Sequence, residues 1–187
     1  IHTSGEHLMS LLNDLLDLSK IEAGKMELSF GEVDLNDVVQ QCLAIMQPQA
    51  NQSRIIVRTS LPLSLPKVVA DIRSVRQVVL NLMSNAIKFT DPGGQIIVST
   101  LYEPSGEVSL RVRDTGRGMD AADVELALEP FRQVPTTLNQ VITGTGLGLP
   151  LTKALVEANR AQFGLESTPG EGTLAMMTFP SQRVLAE

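Results

Sequence analysis

The sequence is short of aromatic residues, cysteine and positive charge, and each shortage excludes a class of protein. Aromatic residues make up 3% of the 187 residues and tryptophan is absent, so a core must be built from aliphatic residues and Met. The one cysteine, Cys42, excludes an intrachain disulfide and a paired-cysteine metal site. The net charge of −6 offers no basic footprint for nucleic acid, which we therefore do not expect as a partner.

Long apolar runs are also missing, because none approaches the roughly 20 residues of a membrane-spanning helix. No signal peptide is found. With 43% apolar residues, the chain suffices for one ordinary domain and an appendage. The first residue is not Met and lies inside a helical pattern. We therefore expect a fragment of a cytoplasmic region, whose upstream part could carry a membrane anchor.

Residues 1–22 predict a helix with a wide apolar face, in which several positions recur at a spacing of seven. The apolar positions are Ile1, Leu8, Leu11, Leu12, Leu15, Leu16, Leu18 and Ile21. A single helix of this kind cannot bury its stripe alone, so either the rest of the chain covers it or a second copy does. Gly24 and the polar stretch after the helix favour a bundle with another chain. We therefore divide the chain into residues 1–24 and residues 25–187.

The rest of the chain alternates helical and strand-like patterns. Helices are predicted from Asp34 or Asn36 to about Gln49, over 72–89 and over 147–158, and strands over 26–30, 55–61, 95–102, 107–113, 163–167 and 174–179. Because these elements form antiparallel hairpins rather than repeated βαβ units, the predicted fold class is α+β, a two-layer sandwich. Residues 130–146 break any regular pattern, and a loop this long is typical of a functional lid or of disorder.

The stretch LNLMSNAIKF, residues 80–89, carries polar side chains in a helix that is otherwise apolar. At about 100° per residue, Asn81, Asn85 and Lys88 fall within roughly 60° of one another. Lys and Asn are rarely buried without partners, so this strip faces either solvent or a charged ligand. Amide oxygens suit Mg²⁺ and a lysine suits phosphate, so the second alternative predicts a site for a phosphorylated ligand.

Two glycine-rich motifs follow this helix. In DTGRGM, residues 114–119, Asp114 is either a turn residue or a carboxylate that accepts from an amine such as that of adenine. In GTGLGL, residues 144–149, glycines precede a helix, where backbone amides can approach phosphate oxygens. The second motif lacks the GK[ST] ending of a Walker A loop, and the irregular loop before it disfavours a dinucleotide site, which needs a strand there.

Together, DIRSVRQVVLNLMSNAIKFT, DTGRGM, EPFRQV and GTGLGLPLTKALVE resemble the ATP-binding domain of sensor histidine kinases, in the GHKL superfamily. The leading segment LLNDLLDLSKIEAGKMEL resembles the second helix of the kinase dimerisation domain. The stretch ANRAQF and the terminal RVLAE are similar to alphaproteobacterial cell-cycle kinases of the PleC, DivJ and PdhS type. The resemblance implies a GHKL (Bergerat) α/β sandwich, preceded by one long helix of a helical-bundle dimerisation domain.

The resemblance also implies roles for individual residues in binding Mg²⁺ and ATP. Asn85 would coordinate Mg²⁺ that bridges the phosphates, Asn81 and Lys88 would contact the phosphates or the metal, and Asp114 would accept a hydrogen bond from the adenine amine. The remaining ATP-binding positions that the family pattern implies are Gly116, Gly118, Phe131, Gly144, Thr145, Gly146, Leu147, Gly148 and Thr173. Where many relatives have a Gly-Gly pair, this chain has Ala161-Gln162, and Gly164 is expected to take part of that role.

The implied reaction is transfer of the γ-phosphoryl group of ATP to a histidine within a homodimer, for onward signalling to a response regulator receiver domain. Asn81 stands where hydrolytic relatives place a glutamate, and an amide cannot take a proton at neutral pH, which disfavours hydrolysis. His2 and His7 do not match the family's acceptor motif, so the chain is expected to bind ATP without phosphorylating itself. The alternatives are a nucleotide-binding pseudokinase scaffold and a GHKL ATPase.

Overall fold

The computed structural model describes residues 2–129 and 148–186, and only the backbone of residues 2–4 and 7. The elements in chain order are α1 (His2–Glu22), β1 (Phe30–Val33), α2 (Leu35–Gln52), β2 (Ile56–Ser60), β3 (Lys67–Asp71), α3 (Ile72–Phe89), β4 (Gln95–Tyr102), β5 (Val108–Asp114), α4 (Ala121–Ala127), α5 (Gly148–Ala158), β6 (Gln162–Thr168), β7 (Gly172–Phe179) and β8 (Val184–Leu185). No helix in the described ranges combines the length and the apolar character that crossing a membrane demands.

A mixed five-stranded sheet forms the centre of the fold, with the strand order β2-β4-β5-β7-β6. Neighbouring strands in it run antiparallel except β2 and β4, which are parallel. The prediction of hairpins alone is wrong for this pair, because β3 and α3 lie between the two strands in the chain and form a crossover connection. The strands β1, β3 and β8 form a second, antiparallel sheet.

One hydrophobic core joins helices α2, α3 and α5 to one face of the five-stranded sheet. Alternate residues of the central strands point into this core, such as Val98 on β4 and Leu110 and Val112 on β5. The largest fully buried side chains include Phe179, Leu35, Met83, Ile96, Leu110, Leu151 and Met177. A helical layer against one sheet face is the predicted two-layer α+β sandwich, and the predicted fold class is confirmed.

Helix α1 divides its apolar face between the domain and solvent. Leu18 is buried, and Leu11 and Ile21 are half-buried against the same core, where α1 contacts α5. The exposed side of the face consists of Leu8, Met9, Leu12, Leu15 and Leu16. The alternative that the rest of the chain covers the stripe therefore holds for one side of it, and covering of the open side by a second copy stays a prediction. The division of the chain at residue 24 stays a prediction.

Several predicted boundaries match the structure, and others do not. Helix α3 covers the predicted 72–89, and Asp34 caps α2 as expected. The strand predicted over 26–30 is wrong in position, because β1 begins at Phe30, which pairs with Asp71 on β3. The amide of Ser29 just before it donates to Asp71 Oδ2 at 2.8 Å, so this segment is bound by a side chain rather than by a strand. The sequence prediction lacks β3, α4 and β8, which are all short.

A buried polar cluster fastens the start of α3 to the end of α5. Asp71 caps α3, because its Oδ1 accepts from the Ser74 amide at 2.9 Å. The fully buried Asn159 accepts from the Asp71 amide at 2.7 Å and donates to Ser74 Oγ at 2.7 Å. Burial acts to raise the pKa of Asp71, but hydrogen bonds from Ser74, Ser29 and Arg73 outweigh it, and the pKa is lowered. The cluster holds the two helices in a fixed relation.

The turn after α5 places a left-handed backbone conformation at Arg160, whose φ is 64°. The amide of Ala161 donates back to the Val156 carbonyl at 3.1 Å, which closes the helix end. The expectation for Gly164 is wrong, because Gly164 lies inside β6. The helix thus ends through a left-handed arginine just before Ala161-Gln162, at a cost of about 1–2 kcal/mol.

Candidate functional site

The polar strip of α3 faces the start of α5. Asn81, Asn85 and Lys88 are all partly buried, while the neighbouring Leu82 is buried in the core. The Oδ1 atom of Asn85 lies 4.0 Å from the position that a Cβ atom would have on Gly148, the first residue of α5. A strip that wholly faces solvent, the first sequence alternative, is therefore not what the fold produces.

Lys88 lies at the C-terminal end of this strip, with its Nζ 5.2 Å from the centre of the Phe89 ring. Burial lowers the pKa of Lys88, because desolvation disfavours the charged ammonium group. Within residues 2–129 and 148–186 the ammonium group forms no ion pair. A half-buried cation without a carboxylate partner favours the approach of an anionic ligand.

Asp114 ends β5 and is only 9% exposed. Its Oδ1 atom accepts hydrogen bonds from the backbone amides of Gly116 at 2.8 Å and Thr173 at 3.2 Å. Desolvation raises the pKa of Asp114, and these two hydrogen bonds limit the rise. No group in the described part of the chain donates a hydrogen bond to the other carboxylate oxygen, Oδ2. The carboxylate therefore has one satisfied oxygen and one that is free to accept from a ligand.

The turn after Asp114 is pinned against the hairpin of β6 and β7. Gly118 has a φ of 69°, and a Cβ atom there would collide with the carbonyl oxygen of Thr168, so only glycine fits. The amide of Met119 donates to Ser167 Oγ at 2.7 Å. On the other side, the amide of Arg117 donates to the Phe89 carbonyl at 3.4 Å. These contacts place the turn between the end of α3 and the end of β6.

The sequence analysis missed three residues of the site. Gln77 and Thr152 both hydrogen-bond to the Asn81 side chain, and Ser167 Oγ lies 2.8 Å from Thr173 Oγ1. The one available hint is a spacing of one helical turn, because Gln77 precedes Asn81 by four residues and Thr152 follows Gly148 by four. Sequence alone cannot pair residues from different elements, so these contacts appear only in the fold.

The fold brings the described candidate residues to one end of the sandwich. They are Asn81, Asn85 and Lys88 on α3, Asp114, Gly116 and Gly118 at the β5 turn, Thr173 on β7 and Gly148 on α5. The candidates Phe131, Gly144, Thr145, Gly146 and Leu147 lie outside the described residues. The motifs separated along the chain thus converge, although the individual roles of their residues stay predictions.

The fold is a helix-covered mixed sheet, and Asp114 with its glycine turn lies at the same end as the amide-rich strip of α3, which is the arrangement that the sequence motifs imply. Residues 70–183 match the family model described as "Histidine kinase-, DNA gyrase B-, and HSP90-like ATPase", and the chain belongs to this family. The family resemblance predicted from the motifs is confirmed.

Among curated relatives, the chain is 56% identical to the cell-division control histidine kinase PdhS of Brucella anthropi over 195 aligned positions. The match covers 100% of this chain and 18% of that protein, so the chain spans about a fifth of the relative's length. PdhS of Brucella suis gives 55% identity, with 100% and 19% coverage. The predicted similarity to cell-cycle kinases is therefore confirmed.

Solved structures share the fold. Full-length ShkA in complex with AMPPNP superposes with a TM-score of 0.84 and 30% identity, covering 99% of this chain and 38% of that one. The histidine kinase AdeS of Acinetobacter baumannii gives a TM-score of 0.80 at 23% identity, covering 97% of this chain and 82% of that one, and supports the fold alone.

Proposed function

We propose that this chain is the ATP-binding catalytic region of a sensor histidine kinase, which transfers the γ-phosphoryl group of ATP to a histidine side chain. The observation that carries the proposal is the asymmetry of Asp114. Its Oδ1 is held by the amides of Gly116 and Thr173, and its Oδ2 accepts no hydrogen bond from the residues that the structure describes. A fixed, desolvated acceptor at the end of a strand suits a ligand edge that carries an N–H donor, as the exocyclic amine of adenine does.

The phosphate end of the proposed site is the strip on α3. Asn85 directs an amide oxygen toward the first residue of α5, and Lys88 supplies a positive charge that no carboxylate among the described residues pairs with. Hard oxygen donors of this kind fit Mg²⁺, and bound Mg²⁺ would neutralise charge on the transferring phosphate. The described residues contain no cluster of three His, Cys, Asp or Glu side chains that could hold a metal. Asn85 would therefore share the ion with triphosphate oxygens and water.

Asn81 supports phosphoryl transfer to a protein rather than hydrolysis. Its amide oxygen accepts from Gln77 Nε2 at 2.8 Å, and its nitrogen donates to Thr152 Oγ1 at 3.3 Å. An amide held in this way orients a ligand but cannot remove a proton from water at neutral pH. The nucleophile is then a neutral imidazole, which needs no such base.

The exposed apolar side of helix α1 supports a proposal about the protein partners of this chain. Its exposed side consists of Leu8, Met9, Leu12, Leu15 and Leu16, and we propose that a second copy of the chain covers it. The resulting homodimer would present the phosphorylated histidine to a response regulator receiver domain. A cytoplasmic location for this region is part of the same proposal.

Asn85→Ala is expected to weaken binding of Mg·ATP by roughly 10- to 100-fold, because it removes an oxygen ligand of a charged group. Binding of ADP in EDTA is expected to stay unchanged, because that measurement does not depend on the metal. Isothermal titration calorimetry of this chain measures both affinities. Asn51→Ala, an exposed amide on α2, is the matched control. Equal Mg·ATP affinity for wild type and Asn85→Ala would contradict the metal assignment.

Transfer itself is tested by mixing this chain with ATP labelled on the γ-phosphate and with the dimerisation domain of a PdhS relative. We expect acid-labile, base-stable label on a histidine of the added domain, and at least about 100-fold less with Asn85→Ala. Release of free phosphate without labelled protein would instead favour an ATPase. Tight ATP binding with neither product would favour the scaffold alternative.

A further inference from the structure

A series of hydrogen bonds connects α3 to α5 through the side chains of Gln77, Asn81 and Thr152. Gln77 Nε2 donates to Asn81 Oδ1 at 2.8 Å, Asn81 Nδ2 donates to Thr152 Oγ1 at 3.3 Å, and Thr152 Oγ1 donates to the Gly148 carbonyl at 2.6 Å. Thr152 is fully buried, at 0% exposure. The hydroxyl therefore has no competing solvent partner.

The Gly148 carbonyl sets the donor-to-acceptor direction of this series of hydrogen bonds. The Gly148 carbonyl can only accept, so the one proton of the Thr152 hydroxyl is committed to it. The oxygen of Thr152 then offers only lone pairs to Asn81, and the amide must turn its nitrogen toward α5. Gln77 cannot impose this choice, because a glutamine amide can itself turn over and present either a donor or an acceptor.

The orientation of the Asn81 amide would decide which of its atoms faces the phosphates in the proposed site. With Nδ2 bonded to Thr152 and Oδ1 bonded to Gln77, one N–H and one oxygen lone pair remain for a ligand, each in a defined direction. A reversed amide would exchange the two, and would place a donor where a cation needs an oxygen. Pre-organised groups of this kind lower the cost of ordering the site on binding.

We propose that Thr152 is a positioning residue, whose hydroxyl fixes the orientation of the Asn81 amide for contact with the triphosphate and its metal. The proposal rests on the proposed function of the site. A threonine that bonds back to the carbonyl four residues earlier is common in helices and has no functional meaning alone. The additional observation is that its second bond reaches across to α3 and to a candidate ligand residue.

The nearly isosteric Thr152→Val removes the hydroxyl and keeps the shape of the side chain. We expect Mg·ATP affinity to fall about tenfold, because Asn81 loses its fixed orientation, and ADP affinity in EDTA to change less than about twofold. Thr152→Ser, which restores the hydroxyl, is expected to return Mg·ATP affinity to near the wild-type value. Thr59→Val, the same chemical change at an exposed position on β2, controls for the substitution itself.

A double-mutant cycle separates positioning from packing. In an Asn81→Ala background, Thr152→Val is expected to cause no further loss of Mg·ATP affinity, because its effect passes through Asn81. An equal tenfold loss in both backgrounds, an equal loss for ADP and Mg·ATP, or no loss at all would each overturn the proposal.

A nucleotide-free measurement keeps this result distinct from failure of the proposed function. The side-chain amide protons of Asn81, observed by ¹⁵N-resolved NMR, are expected to exchange with water more slowly in wild type and Thr152→Ser than in Thr152→Val. Slow exchange in wild type without any ATP binding would leave the amide orientation in place and reject the ATP site. Equal exchange in all three proteins would reject the role of Thr152, whatever the chain binds.

Discussion

Asp114→Asn is expected to weaken the binding of adenine nucleotides by about 100-fold while the domain stays folded. The amide oxygen of the new side chain can still accept from the backbone amides of Gly116 and Thr173, which hold the native Oδ1. The NH₂ group then replaces the free Oδ2 and meets the adenine amine donor to donor. Because burial already raises the pKa of Asp114, an uncharged side chain is compatible with its surroundings.

The preference for adenine over hypoxanthine nucleotides tests the same contact of Asp114. Inosine nucleotides carry a carbonyl oxygen where adenine carries its amine, so wild type is expected to prefer ADP and Asp114→Asn to lose or reverse that preference. Calorimetric affinities for ADP and IDP in EDTA measure the change, and the exposed Asp37→Asn on α2 is the matched control. An unchanged preference for ADP in Asp114→Asn would show that this carboxylate does not contact the base.

Gly172→Ala is expected to lower the free energy of unfolding by about 2–6 kcal/mol, a large part of a typical domain stability. Gly172 has a φ of 118°, which alanine adopts only with strain. Its Cβ would also collide with the carbonyl oxygen of Asp114 and lie 2.9 Å from the carbonyl carbon. Relief requires the ends of β5 and β7 to separate, and the amide of Thr173 would then leave Asp114.

Substitutions of two other glycines separate this loss of stability into a part from backbone strain and a part from the collision of the added Cβ. Gly170 has a φ of 80° with nothing within 4 Å of an added Cβ, so Gly170→Ala should show the strain alone, about 1 kcal/mol. Gly31 has open space and no positive φ, so Gly31→Ala should change little. Urea unfolding measures the three free energies. If Gly172→Ala and Gly170→Ala lose the same stability, the close approach of β7 to Asp114 is not real.

What the sequence predicts well is local. The bounds of α3 follow from one amphipathic repeat and from Asp71, which caps the helix through a neighbour three residues away. The strands β4 and β5 alternate clearly and are joined by a short turn. The same holds for the candidate site, because Asn81, Asn85 and Lys88 share one helix and their common face is a matter of geometry.

What the sequence misses depends on distant pairing. The strand β3 is five residues long and exists through its partners β1 and β8, and β2 finds its parallel neighbour only across a crossover. Thr152 reaches Asn81 across 71 positions of the chain, and Ser167 reaches Met119 across 48. Periodicity carries no information about such contacts, so the residues that position the site are harder to find than those that form it.

The bond between Asp71 and Asn159 has a mechanical consequence. It joins the two ends of the segment 71–159, and this segment contains α3, α5 and the Asp114 turn. The segment that follows α1 is tied to the same point, because the Ser29 amide donates to Asp71 Oδ2. A displacement of that segment therefore acts at Asp71, where α3 starts, and through its bond at Asn159, the residue that follows α5. The start of α3 and the end of α5 would then move together rather than one helix at a time.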